Sequence, residues 1–194
     1  MTTKTTLSAV ALFLAFPLLR YTHAQEAKAP PAEPKTKLEM FQARSGAVII
    51  RGFSEVGSIQ GQLSTSIAVE CKEFTDASSG KKEYGITVTV KSTSRFEKSD
   101  TSFIDDDEIV SLLKGIEYIA KIDKTITKLA DFQADYKTKG DMTVSSYSSS
   151  QGIVEAAVQC GRFNGTMAHL SMADLEQFTK LIAKSKEMLD ELKK

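Results

Sequence analysis

Few residues in this chain have the chemistry to act on a substrate. Histidine occurs twice, at His23 and His169. A Ser-His-Asp or Cys-His centre would need one of them, and a histidine-rich zinc site needs several. His23 falls in a leader segment, so His169 stands alone in the remainder. Strand alternation puts it beside Met167 as a partly exposed strand residue. The densest acidic run is Asp105-Asp106-Asp107-Glu108. Hard cations take several carboxylate oxygens, but this run lacks the glycine and the alternating oxygen donors of a calcium loop. It reads instead as acids at a helix start, where the helix dipole favours negative charge. A carboxylate-dependent hydrolase would draw on Asp105, Asp106 and Asp107 with Glu155, yet Glu155 falls on the outer face of its strand with no predicted partner.

The cysteines are Cys71 and Cys160. In an exported chain such a pair suggests a disulfide. Both also lie on apolar strand faces, as buried free thiols do, and nothing in the pattern brings their Cα atoms within the ~7 Å that a bridge requires. The two therefore read either as a candidate disulfide or as two buried thiols on different strands. Ser145, Ser146, Ser148, Ser149 and Ser150 read as a solvated strand end and turn. Asn164-Gly165-Thr166 matches a glycan acceptor but sits in a hairpin signal. Gly57 and Gly61 lie between strands with no helix after them, so they do not cradle a phosphate. The sequence supplies no catalytic, cofactor-binding or metal-ligating set.

The elements that must position these residues begin after a leader. Lys4 gives a positive start, Leu7 to Leu19 is almost unbroken apolar sequence, and Thr22-His23-Ala24 offers small residues before a cut. Residues 1–24 are read as a signal peptide, which predicts a secreted or periplasmic protein not held in a membrane once the signal is cut. Residues 25–43 are read as a tether, because Pro30, Pro31 and Pro34 with small and charged neighbours cannot build a core. Within the whole chain 25 basic residues balance 25 acidic ones. Residues 1–24 contain Lys4 and Arg20 and no acid, so their removal leaves a slightly acidic chain. That argues against nucleic acid, whose sequence-independent binding rests on Lys and Arg.

From residue 44 onward the pattern alternates. Gly46 to Phe53 predicts a first strand, covered on both faces around Val48-Ile49-Ile50, and Glu55 to Ser58 predicts a turn. In a second strand Ile67, Val69 and Cys71 share the inner face and Ala68, Glu70 and Lys72 the outer one. Tyr84 opens a third strand with Ile86, Val88 and Val90 inward and threonines outward. A short strand at Thr101 to Ile104 precedes a helix that Asp105 and Glu108 are placed to cap, with Ile109, Leu112, Ile116 and Ile119 on one stripe. Gly115 in that helix marks either close approach to the sheet or an imperfect helix.

The motif Gly85-Ile86 to Arg95-Phe96 recurs as Gly152-Ile153 to Arg162-Phe163 at the same internal spacing. The echo predicts a duplicated unit, residues 44–128 and 129–194, each ββββα. In the second unit Met142 to Tyr147 and Gly152 to Phe163 are strands, Asn164-Gly165 predicts a tight type I′ turn, and Ser171 with Asp174 caps a final helix. The fold class is α+β: two ββββα repeats in one domain, antiparallel sheets with one helix each on the apolar faces.

Two ββββα units resemble, in architecture only, the Whirly family of single-stranded-DNA-binding proteins, whose sheets grip the strand. The resemblance implies a single-stranded nucleic-acid binder. Such binders present aromatic rings in a basic groove, whereas the outward residues assigned here are Thr and Ser with scattered charge. The function expected from the sequence is therefore an exported, non-catalytic binding or structural module acting through a sheet surface or edge.

Overall fold

The computed structural model describes residues 33–94, 97–149 and 152–194; the stretch read as a signal peptide, the start of the stretch read as a tether, Arg95-Phe96 and Ser150-Gln151 lie outside them. After a short helix α1 (Lys37–Gln42) come β1 (Ile49–Gln60), β2 (Thr65–Asp76), β3 (Lys82–Ser92), β4 (Lys98–Asp105) and α2 (Ile109–Ala120). The order then repeats as β5 (Gln133–Lys137), β6 (Thr143–Ser148), β7 (Val154–Cys160), β8 (Thr166–Leu170) and α3 (Met172–Leu192). Each set of four strands pairs antiparallel in chain order, giving two sheets, β1-β2-β3-β4 and β5-β6-β7-β8. This is the expected α+β arrangement of two ββββα units.

The helices are exchanged between the units. Helix α2, from the first, packs against β5 and β6 of the second sheet, while α3, from the second, packs against β1 and β2 of the first. At their other halves the sheets meet directly, β3 and β4 against β7 and β8. All of this closes one core. Ile67, Val69, Ile86 and Val88 from the first sheet lie in it with Val144, Ala156, Val158 and Leu170 from the second, under Leu112 and Ile116 of α2 and Phe178 and Ile182 of α3. Alternation explains the faces. On β7, Ala156, Val158 and Cys160 are buried in this core and Glu155 and Gln159 face outward.

Gly115 marks close approach. A Cβ at that position would lie 2.2 Å from the Tyr136 ring of β5, so the glycine is what lets α2 settle on the other unit's sheet. Gly115→Ala ordinarily favours a helix by about 1 kcal/mol. Here it should destabilise the protein by about 1–3 kcal/mol through overpacking, read as a lower denaturant midpoint, and a Tyr136→Ala background should remove most of that overpacking penalty.

Helix α1 forms within the stretch read as tether. Thr36 caps it, accepting from the Glu39 amide, and the Glu39 carboxylate returns to the Thr36 amide. Its remaining free amides, Lys37 and Leu38, donate to the Asp105 carboxylate at 2.9 and 3.2 Å. Asp105 therefore does not cap α2, which starts through a 3-10 turn at Asp106–Glu108 with no side-chain cap. Leu38 and Phe41 of α1 pack on Phe74, with Ile49 and Phe103 at the rim, in a second, smaller core on the outer face of the first sheet. Gly85 makes room, since a Cβ there would sit 2.6 Å from Leu38 Cδ1. Arg162 fixes α1 to the second unit by pairing with Glu39 at 3.2 Å and with buried Asp141 at 2.9 Å. Lys35 reaches the same Asp141 at 2.7 Å. Asp105→Ala leaves two helix-end amides without their acceptor, and should cost about 2 kcal/mol in chemical denaturation.

Further sequence expectations change. Glu55 to Ser58 is not a turn: β1 runs through it with a bulge between Glu55 and Gly57, where Gly57 takes φ 155°, and the reversal falls after Gln60. Nor is β1 covered on both faces, since it is an edge strand with Val48 and Ile50 exposed. Asn164-Gly165 does not make a two-residue turn. Cys160 pairs with Thr166, and the loop between them uses positive φ at Gly161 and Asn164. The repeat itself is real at the level of strands, but the Gly-Ile echo is out of phase with it: the motif offset is odd and would pair inward Val88 with outward Glu155, whereas inward residues of β3 and β7 are both even-numbered. Side chains alternate with period two, so equivalence must follow an even offset.

Candidate functional site

The structure separates the residues that looked chemical. Asp105 is committed to α1. Asp107 pairs with Lys37 at 2.7 Å, and Asp106 lies by Lys193 and Lys186 of α3. Glu108 is buried, accepts from the Lys139 amide at 2.8 Å and among the described residues has no partner at Oε2; burial raises its carboxyl above the usual range. Glu155 belongs to the outer face of the second sheet, directly across from Tyr147, while α2, which follows the acidic run, lies on the inner side of that sheet. His169 Nδ1 is 2.8 Å from the Tyr147 hydroxyl, and the rings meet edge-on. Among the described residues no group of three or more His, Cys, Asp or Glu gathers to hold a metal ion.

Cys71 and Cys160 are free, buried thiols. They do not bridge because they meet different neighbours. Cys71 on β2 turns under α3 and donates to the Ser185 carbonyl at 3.5 Å, and Cys160 at the end of β7 donates to the Val88 carbonyl at 3.3 Å. Burial pushes the Cys71 thiol up to about 11 and the Cys160 thiol up to about 12. Because the thiolate is the reactive form, native protein at neutral pH should react with Ellman's reagent far more slowly than unfolded protein. Unfolding without reductant should release two titratable thiols; a count of zero would show a bridge.

A concave feature lies on the outer face of the first sheet, beside α1. Register lays out its rows: Phe53 opposite Lys72 and then Gly85; Glu70 opposite Thr87 and then Phe103; Thr89 opposite Thr101. Leu38 of α1 fills the space over Gly85, and α1 covers only the side toward Phe74 and Phe103, with Gln42 at the boundary. What remains is a groove of about 340 Å³. At one side the Lys72 ammonium lies 5.0 Å above the Phe53 ring and the Arg51 guanidinium 5.8 Å from the Phe74 ring, both within the range of cation–π attraction. Lys72 also pairs with Glu70 at 2.7 Å, and Thr87 donates to the same carboxylate at 3.4 Å. At the other side Thr89 and Thr101 share a hydrogen bond of 2.8 Å.

This groove was only half visible in the sequence. Alternation turns Glu70, Lys72, Thr87 and Thr89 outward, but strand pairing is needed to bring Phe53 and Phe103 beside them. Phe74 has the same parity as Glu70 and Lys72, which was the available signal. Comparison of the chain with protein-family models, curated proteins and solved structures returns no match.

Proposed function

We propose that this is an exported, non-catalytic binding protein whose ligand lies along the outer face of the first sheet. The observation that carries this reading is the groove itself. A sheet face with its back to a closed core would ordinarily be wetted throughout, yet this one holds phenylalanines, two cations and a threonine pair around a 340 Å³ hollow. Pockets that combine apolar walls with a few directed polar groups are the usual form of small-ligand sites. The cationic and aromatic side favours a ligand with an apolar segment and an anionic end, and the Thr89–Thr101 side can accept or donate one further hydrogen bond. Export rests on the leader pattern of residues 1–24. Among the described residues no helix is long and apolar enough to cross a membrane.

One observation favours a second reading. Phe53 is 69% exposed beside Lys72 and Arg51, and a base could stack there as in single-strand binders. Against it, Phe74 is buried under α1 and Phe103 is half covered, leaving one open ring where a strand needs several.

The experiment is amide shift mapping by NMR with three probes in separate titrations: a medium-chain fatty acid, a soluble neutral oligosaccharide and a short oligothymidylate. A saturable response centred on Phe53, Thr87 and Phe103 with the fatty acid is the expected result, weakened by Lys72→Glu. Saturation by the oligothymidylate alone would hand the groove to the second reading. No response there to any probe would remove support for both.

A further inference from the structure

We propose that two copies of this chain associate edge to edge through β1, antiparallel about Phe53, joining their first sheets into one continuous sheet. Arg51 and Phe53 also line the groove, but the pairing is read by association of the free protein and not by ligand binding.

Strand edges present unpaired amides and carbonyls, and proteins usually cover, shorten or charge them. The other edges here are managed. On β4, Asp100 accepts from both the amide and the hydroxyl of Thr166, Ser102 accepts from the Gly161 amide, and Gly140 presses so close that a Cβ would lie 1.9 Å from the Phe103 carbonyl. Strands β5 and β8 are five residues each, and the His169 carbonyl of β8 accepts from the Gln62 amide. β1 is different. It is 12 residues long, and Ile50 to Glu55 are exposed in unbroken succession ahead of the bulge. Ile50 is 58% and Phe53 69% exposed.

The residue pattern selects a second copy over an unrelated strand. Arg51, Phe53 and Glu55 share one face with opposite charges two residues either side of the ring. In an antiparallel pair centred on Phe53, Arg51 stands opposite the partner's Glu55, Glu55 opposite the partner's Arg51, and the rings face each other. Cross-strand pairs of these kinds are the favourable ones. Within one copy Glu55 is unrelieved, because it stands across β2 from another acid, Glu70. Among the described residues neither Arg51 nor Glu55 has an ion pair.

The opposite face of the strand fits as well. There Gly52 and Ser54 are small, and beside them lies a recess of about 210 Å³ bounded by Cys71 and the exposed Leu192. The partner's Ile50 falls diagonal to Ser54 in this register, over that recess, so an exposed isoleucine from each copy gains apolar cover. A short strand pair buries less than the surface of a stable obligate dimer, so the association is reversible.

The test is sedimentation velocity of protein from cells expressing the full chain, across a wide concentration range, with Phe53→Lys, Arg51→Glu, Glu55→Arg and the double Arg51→Glu/Glu55→Arg. All these side chains are exposed, and circular dichroism checks that each variant keeps its fold. Wild type should show a concentration-dependent monomer–dimer equilibrium. Phe53→Lys and each single reversal should weaken it by about tenfold or more, which is about 1.4 kcal/mol, and the double reversal should restore it. Amide exchange of residues 51–55 should slow as concentration rises, an observable that a loss of fold would not reproduce. A monomer at every concentration, or a dimer indifferent to Phe53→Lys, overturns the proposal.

Discussion

Everything in this fold depends on the exchange of helices between the two ββββα units. A four-stranded sheet with one apolar face needs cover over its whole width, and each sheet here obtains it from two sources. Half of each face meets the opposite sheet, β3 and β4 on β7 and β8. The other half is roofed by the helix that belongs to the other unit. The result is a single core in which neither unit owns a complete interior. Gly115 is the place where this is tightest, because the helix of one unit has no room for even a methyl group against the Tyr136 ring of the other.

Because both inner faces are consumed in that core, contact with anything else falls to the outer faces and edges. On the second sheet the outer face carries Tyr147 and His169, hydrogen-bonded to each other. On the first it is partly apolar, since α1 has its own small core there. Asp105, Arg162 and Asp141 hold α1 in place by ending its free amides and pairing its charges. The groove therefore exists because a short helix, its Leu38 seated over Gly85, occupies only part of the sheet face and leaves the rows of Phe53, Glu70, Thr87 and Thr89 open beside it.

Seven of the eight strands and both long helices were legible in the sequence because alternation and capping are local signals, while the stretch that forms β5 reads equally as the tail of a helix. The Ser171–Asp174 pair and the inward set Ile86, Val88, Val90 come directly from spacing. What escaped was set by distance or by disguise. Gly57 lies in a sequence resembling a turn, yet it serves a bulge inside a long strand. Asp105 carries a plausible cap pattern for α2, but its carboxylate is spent on amides of α1, nearly seventy residues upstream. The Gly-Ile and Arg-Phe echo pointed to the repeated ββββα architecture through residues that are not equivalent in it, since an odd offset exchanges the two faces of a strand. The groove needed α1, and α1 was hidden within a proline-rich stretch.

The exchanged helices also constrain how such a chain can be cut or rearranged. Severed between Ala120 and Gln133, the first fragment would hold a sheet without its roof and a helix without its floor, and the second would be left with the converse. Each half is thus incomplete by the same measure, and two identical halves would satisfy one another by trading helices, as domain-swapped dimers do. A protein of this design at half the length would be viable only as such a pair, and joining the halves in one polypeptide replaces a concentration-dependent encounter with a tether.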